Sequence, residues 1–244
     1  HRVISQMLED DATEPPESFI DSIGDLIERA LDPQSDKALM ARALTLPSIS
    51  EIGQQQKIVD PSAIARVRQS VQAAIKREHK SALLKLYKEN TSSGDFSISP
   101  DAMGRRALSN MILNLLTSTK GTGCAKFATE HYETANNMTD RMAALGALID
   151  NKNADREAVL SDFYARFKDY PLVMDKWFRV QAGAERDDIF EELEQLKTHK
   201  DFSMKNPNRV RSLYGAFAMN NPVKFHDPGG RGYEFLKNGI IELN

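Results

Sequence analysis

The chain has 244 residues, 41% hydrophobic and 27% charged, with a formal net charge of −3. That length buries a sizeable core without disulfide or metal staples, the charge offers nothing to nucleic acid or an anionic membrane surface, and no apolar run reaches the length of a membrane span. A single cysteine, Cys124, excludes an internal disulfide and a multi-thiolate metal site.

Taken in chain order, the recurring period is helical. The opening HRVISQMLEDDATEPPES starts as if a helix had been entered midway, as expected of a cut inside a longer protein. Between residues 60 and 90, Ile64, Val67, Val71, Ile75, Ala82, Leu83 and Leu86 recur at three- and four-residue steps. The pattern predicts one long helix, or two joined near 78–80. SGDFSIS (93–99) is the one short strand candidate and reads better as a loop. Met103, Leu108, Met111, Ile112, Leu115 and Leu116 resume the helical stripe, followed by Met138, Met142, Leu145 and Ile149. Further stripes are Val159, Phe163 and Phe167, then Leu193 and Leu196, then Val210, Leu213 and Phe217, and last Leu236, Ile240 and Leu243.

Four of these helices announce their starts. Asp60-Pro61, Ser99-Pro100, Asn206-Pro207 and Asn221-Pro222 each set a capping side chain before a proline, whose missing N–H costs nothing in a first turn. Short connections between a dozen or so helices predict an all-α fold, an irregular α-solenoid or superhelix of antiparallel helix pairs. No fixed-period repeat and no low-complexity linker divides it, so residues 1–244 read as a single helical domain.

Chemistry is sparse. None of His1, His79, His131, His199 and His226 is followed by glutamate, and no two lie four residues apart, so the H-E-x-x-H zinc arrangement is absent. His79 and His199, among charged neighbours, read as solvated, and His131 as a packing or hydrogen-bonding group. Asp187-Asp188 and Glu191-Glu192 read as the polar face and first turn of a helix. Cys124 in KGTGCAKF has no helical histidine partner and reads as a bystander thiol. GTG (121–123) and GGRG (229–232) lack the strand context of a phosphate loop. Trp177, at helical spacing from Val173 and Val180, reads as core. Asp175 and Lys176 are candidates for a polar link to another element, and Arg209 and Arg211 for pairing with carboxylates or carbonyls across helices. The last helix, GYEFLKNGIIEL, carries Leu236, Ile240, Ile241 and Leu243, which are expected to stay partly uncovered.

Four segments in series carry a resemblance: LTLPSISEI (44–52), YETANNMTDRMAAL (132–145), LVMDKWFRVQA (172–182) and MKNPNRVRSLYGAFAMNNPVKFHDPGGRGYEFL (204–236). Together they are similar to the C-terminal helical domain of bacterial aminopeptidase N, a zinc-dependent alanyl aminopeptidase of the H-E-x-x-H…E class. The resemblance implies a parent enzyme that removes N-terminal residues from peptides in the cytoplasm, using a zinc ion held by its own catalytic domain. The catalytic domain of the same polypeptide and short peptides are the implied partners, with no nucleic acid and no membrane. GAFAMNN (215–221) shares letters with the family's G-x-M-E-N but lacks its spacing and glutamate, so no catalytic or metal-binding residue transfers. The implied role is to cover the catalytic domain and enclose its active site in a chamber that short peptides enter and folded proteins do not. The family chain also continues for several helices past the point matching Asn244. Asn137, Asp175, Lys176, Trp177, Arg209 and Arg211 are the candidate structural or interdomain residues. An independent helical-repeat scaffold that binds a protein or peptide is the alternative.

Overall fold

The computed structural model describes residues 1–91, 94–118, 122–150 and 154–243. All regular structure among them is helical. The chain divides into two compact units, His1–Ala147 and Leu148–Asn244. Ser93 of the 93–99 segment lies outside the described residues and the rest of that segment is loop; Lys120 and Gly121 of KGTGCAKF also lie outside.

The first unit contains α1 (Arg2–Glu9), α2 (Glu17–Leu31), α3 (Lys37–Leu44), α4 (Ile49–Gly53), α5 (Pro61–Asn90), α6 (Pro100–Thr117), α7 (Thr122–Thr134) and α8 (Met138–Leu148), the last residue of which falls in the second unit. Helix α6 packs against both α3 and α5, and α2 packs against α3 and α5. The stripes read from the sequence meet here: Ile64, Val71, Ile75, Leu83, Leu86, Leu108 and Ile112 are almost wholly removed from water, and Ile27 and Leu113, which the sequence reading did not name, join them. Burying such side chains, at about 1.5–3 kcal/mol each, supplies the main drive for association of these helices.

The two cap–proline starts in this unit form as predicted. The Asp60 carboxylate accepts from the N–H groups of Ser62 and Ala63, and the Ser99 hydroxyl from that of Ala102. Helix α5 is interrupted at His79, where φ is −115° and ψ 17°, which realises the alternative of two helices joined near 78–80. The imidazole Nε2 lies 3.0 Å from the Ile20 carbonyl oxygen of α2. Gly24 makes that approach possible, since a Cβ there would sit 2.7 Å from the His79 ring. His79 is therefore half-buried against α2, and the solvated reading is corrected: its ring bonds across to a neighbouring helix.

The second unit contains α9 (Ala154–Phe167), α10 (Pro171–Ala182), α11 (Ile189–Lys197), α12 (Pro207–Val210), a π-helical turn (Arg211–Gly215), α13 (Ala216–Asn220), α14 (Pro222–Phe225) and α15 (Arg231–Glu242). Asn206 and Asn221 cap α12 and α14 as predicted, accepting from Asn208 and Arg209 and from Lys224. Within HDPGGRG, residues 226–230 form the turn, with Gly230 in the left-handed region at φ 78°, and Arg231 and Gly232 already open α15. Helix α15 settles onto the π turn: Tyr214 and Phe235 stack with centroids 4.7 Å apart. Gly239 faces the same tyrosine so closely that a Cβ would lie 2.3 Å from its ring. On its other side, α15 leaves Ile240, Ile241 and Leu243 more than half exposed and Leu236 half-buried, as its sequence predicts.

Candidate site in the second unit

The site is built from α10 outward. Helix α10 turns Met174, Trp177, Phe178 and Gln181 inward. Trp177 donates its indole N–H to the Leu160 carbonyl of α9 at 3.1 Å, which satisfies the one polar atom of a buried ring. Phe178 is fully buried, and the Arg209 guanidinium lies over its face with Cζ 4.7 Å from the centroid. The same guanidinium pairs with Asp175, Nη1 to Oδ1 at 3.3 Å, with both side chains largely withdrawn from water. Arg209 is thus held between a carboxylate and an aromatic face, both of α10.

His199 completes the cluster. Its ring lies 5.2 Å from Tyr164, 5.2 Å from Trp177 and 5.6 Å from Phe178, between centroids. The solvated reading of His199 is therefore corrected: aromatic faces flank it, and its Nδ1 accepts the Asp201 N–H at 3.2 Å. Desolvation pushes the imidazole below its usual value, Asp201 opposes this, and Lys200 and Arg209 add to it.

A second cluster adjoins the first through a polar cavity of about 240 Å³ lined by Trp177, Gln181, His199, Arg156, Arg186 and Glu192, among others. Arg156 bonds to Glu157 and Glu192, and its Nε donates to the Ile149 carbonyl at 3.2 Å. Arg186 takes Asp188 in a two-pronged pair at 2.9 and 2.8 Å, and its Nη1 lies 3.4 Å from Glu192. Hydrogen bonding to Asp188 holds the Arg186 guanidinium above its usual value against the cost of burial. Glu192, expected on a solvated helix face, instead bridges two buried arginines; Glu191 and Asp187 do remain exposed.

The other candidates are dispersed. Asn137 belongs to the first unit and caps α8, its Oδ1 accepting the Asp140 N–H at 3.0 Å and its amide donating to the Asp140 carboxylate at 2.6 Å. Lys176 and Arg211 are exposed. His131, also in the first unit, is buried and its Nδ1 lies 2.6 Å from the Tyr87 hydroxyl, as a hydrogen-bonding histidine should. Sequence reading missed the Arg156–Glu192–Arg186 group, which no local spacing announces. It also missed the capping box of α4, whose signal, Ser48 followed by Glu51, was present.

Chemically, this arrangement holds helices together. Among the described residues no three or more of His, Cys, Asp and Glu converge as a metal site. The chain matches, over residues 1–244, the family described as "Domain of unknown function (DUF3458_C) ARM repeats". It is 37% identical over 88% of its length to aminopeptidase N of Escherichia coli, and 35% identical over 86% to that of Haemophilus influenzae. Against aminopeptidase N of Caulobacter vibrioides the identity is 34% over 94% of the chain. The crystal structure of Legionella pneumophila aminopeptidase A in complex with aspartic acid superimposes with a TM-score of 0.86 and 27% identity over 98% of this chain, which covers 29% of that one. The chain spans about a quarter of these relatives, 24% of the first two and 27% of the third. It is an all-helical member of the DUF3458_C family of ARM-repeat domains, and it is similar over most of its length to the C-terminal region of aminopeptidase N.

Proposed function

We propose that the chain is the non-catalytic helical region of a cytoplasmic, zinc-dependent aminopeptidase that releases N-terminal amino acids from short peptides. On this reading residues 1–244 form one helical domain that lies over the catalytic domain of the same polypeptide and limits what reaches its chamber. The observation that carries the proposal is the 34% to 37% identity to aminopeptidases N across 86% to 94% of the chain. The zinc belongs elsewhere in that polypeptide. An aminopeptidase zinc site needs imidazoles at helical spacing with a carboxylate ligand, and the residues present do not fit it, so no step here passes through the ion. Asp175, Trp177 and Arg209 act as internal supports, while the exposed Lys176 and Arg211 are the side chains offered to the interdomain contact.

The test uses the full-length polypeptide that contains this chain. It should hydrolyse an alanyl amide and spare the N-terminus of a small folded protein, and charge reversal at Lys176 and Arg211 together should relax that size limit. Unchanged discrimination in the double variant would remove those two residues from the proposal; a polypeptide without size discrimination would remove the access-limiting role. The ARM-repeat description also suits the second reading, an independent scaffold for a protein or peptide. A full-length sequence with no H-E-x-x-H would favour it.

A further inference from the structure

In the first unit the apolar faces of the helices do not all close on one another. A cleft of about 890 Å³ is lined by residues of α1, α2, α3 and α6. Ile4 and Ile23 of its lining are buried, while Val3, Phe19, Leu46 and Met111 are only half-buried and leave apolar surface in it. The exposed Ala43 and Ala107 also line it, and side chains this small let another backbone come close. A recess of this size and lining is stabilised by an occupant that removes it from water.

Its charges indicate what that occupant carries. Arg2 and Arg42 line the same cleft, both exposed, and among the described residues neither side chain makes a hydrogen bond or an ion pair. The one carboxylate among the lining residues, Glu51, is already engaged: it accepts from the Ser48 N–H and from the Ser48 hydroxyl, each at 2.7 Å. Those bonds, more than the charges of Arg42 and Arg68, hold the Glu51 carboxyl below its usual range. The cleft therefore combines apolar walls with two cations that have no carboxylate of their own, which complements an apolar surface bearing negative charge.

We propose that this cleft seats an amphipathic segment of the same polypeptide from outside residues 1–244, with apolar side chains against Phe19, Leu46 and Met111 and carboxylates meeting Arg2 and Arg42. The seat rests on the reading above that the chain is one region of a longer aminopeptidase polypeptide, of whose relatives it spans about a quarter. A second copy of the chain fits less well. A two-fold contact sets a patch against itself, so a recess would face a recess and the arginines of one copy those of the other. A segment tethered in the same polypeptide is held near the cleft at high effective concentration, so two arginines and an apolar wall suffice to keep it there.

The experiment uses the full-length polypeptide, with Ala107→Cys in the cleft and, as a control on the exposed side of α5, Lys85→Cys made separately. Each is treated with a maleimide, and labelling at the substituted position is followed by peptide mass spectrometry. Ala107→Cys should label at least about tenfold more slowly than the control, as expected of a site that reacts only when it opens. Arg42→Glu added to Ala107→Cys should return labelling most of the way to the control rate. If Ala107→Cys does not fold, Ala43→Cys takes its place. Labelling at the control rate shows the cleft open to solvent and overturns the proposal. Protection that disappears on dilution belongs to a second copy, and protection that disappears on exhaustive dialysis to a small ligand; either overturns it as well. Protection unmoved by Arg42→Glu refutes the charged contact and with it the chemistry of the occupant. Hydrolysis of an alanyl amide is measured on the same samples: protection without hydrolysis removes the aminopeptidase reading and keeps the seat, whereas hydrolysis with an open cleft removes the seat alone.

Discussion

The two units solve the same problem with different materials. In the first, helices as long as 30 residues pair through aliphatic stripes, and rings are few among its described core residues, chiefly Tyr87 and Tyr132. In the second, most helices are shorter, and rings from different elements span the space between them: Phe178 of α10, Phe202 of a connection, Tyr214 of the π turn and Phe235 of α15. Short helices also leave more irregular backbone to satisfy. Here polar side chains do it: Asp150 accepts the Glu185 N–H at 2.6 Å, and the fully buried Asn221 donates to the Ala184 carbonyl at 2.7 Å while capping α14. Long helices can stand on apolar periodicity alone, whereas a stack of short ones needs rings and buried ions to fix each element.

That contrast can be broken most directly at Glu192. Glu192→Leu removes the carboxylate shared by Arg156 and Arg186 and should cost about 3–5 kcal/mol in urea unfolding; a loss under about 1 kcal/mol would make the buried ions incidental. In the first unit the counterpart is Leu83→Ala, which empties a fully buried site and should cost about 2–5 kcal/mol. Its cost should not change with salt, whereas that of Glu192→Leu should. Asn221→Ala leaves the Ala184 carbonyl without its donor and opens the α14 cap, for an expected loss of about 1–3 kcal/mol. Ile112→Ala, by contrast, should behave as Leu83→Ala does.

The smallest effect is a pH dependence. Burial pushes the His131 imidazole below its usual 6.5, with Asp140 opposing, so the unfolded chain binds the proton more readily than the folded one. Stability is then fully present above the unfolded value and falls as pH drops through about 6.5 toward the lower folded value. His199 adds a contribution of the same sign in the second unit. Comparing urea midpoints at about pH 7.5 and about pH 5.5, the His131→Gln variant should lose part of the dependence and retain the part due to His199. An unchanged dependence in that variant would place the sensitivity outside the Tyr87–His131 pair.

What could be read from the sequence follows the same division. The stripes of α5 and α6, the break near 78–80 and all four cap–proline starts were legible because each depends on residues within a few positions of one another. Trp177 as core was legible from its helical spacing to Val173 and Val180, but that Asp175 would meet Arg209 was not, because nothing local in the sequence joins residues of two different helices. Glu192 was not: its partners Arg156 and Arg186 are distant in the chain, and an acidic pair in an amphipathic helix reads as solvated. His199 was hidden likewise, by charged neighbours that say nothing of the rings of Tyr164, Trp177 and Phe178 above it. The π turn widens a stripe that still looks α-helical, which is why Val210, Leu213 and Phe217 suggested one regular helix while Arg209, Ser212, Tyr214 and Ala216 join Leu213 and Phe217 inside.

Trp177 is the one tryptophan in the chain, and its indole is buried with its N–H bound to a carbonyl. The chain therefore carries a single tryptophan fluorophore, placed wholly within one unit and excitable at wavelengths where its tyrosines do not absorb. Its emission should lie at short wavelength in the native state and shift to the red only when the ring cluster opens to water. Circular dichroism in the far ultraviolet sums the helices of both units. The separation between those two signals along a urea gradient, absent when both units open together, measures in one sample how far the loss of one unit runs ahead of the loss of the other.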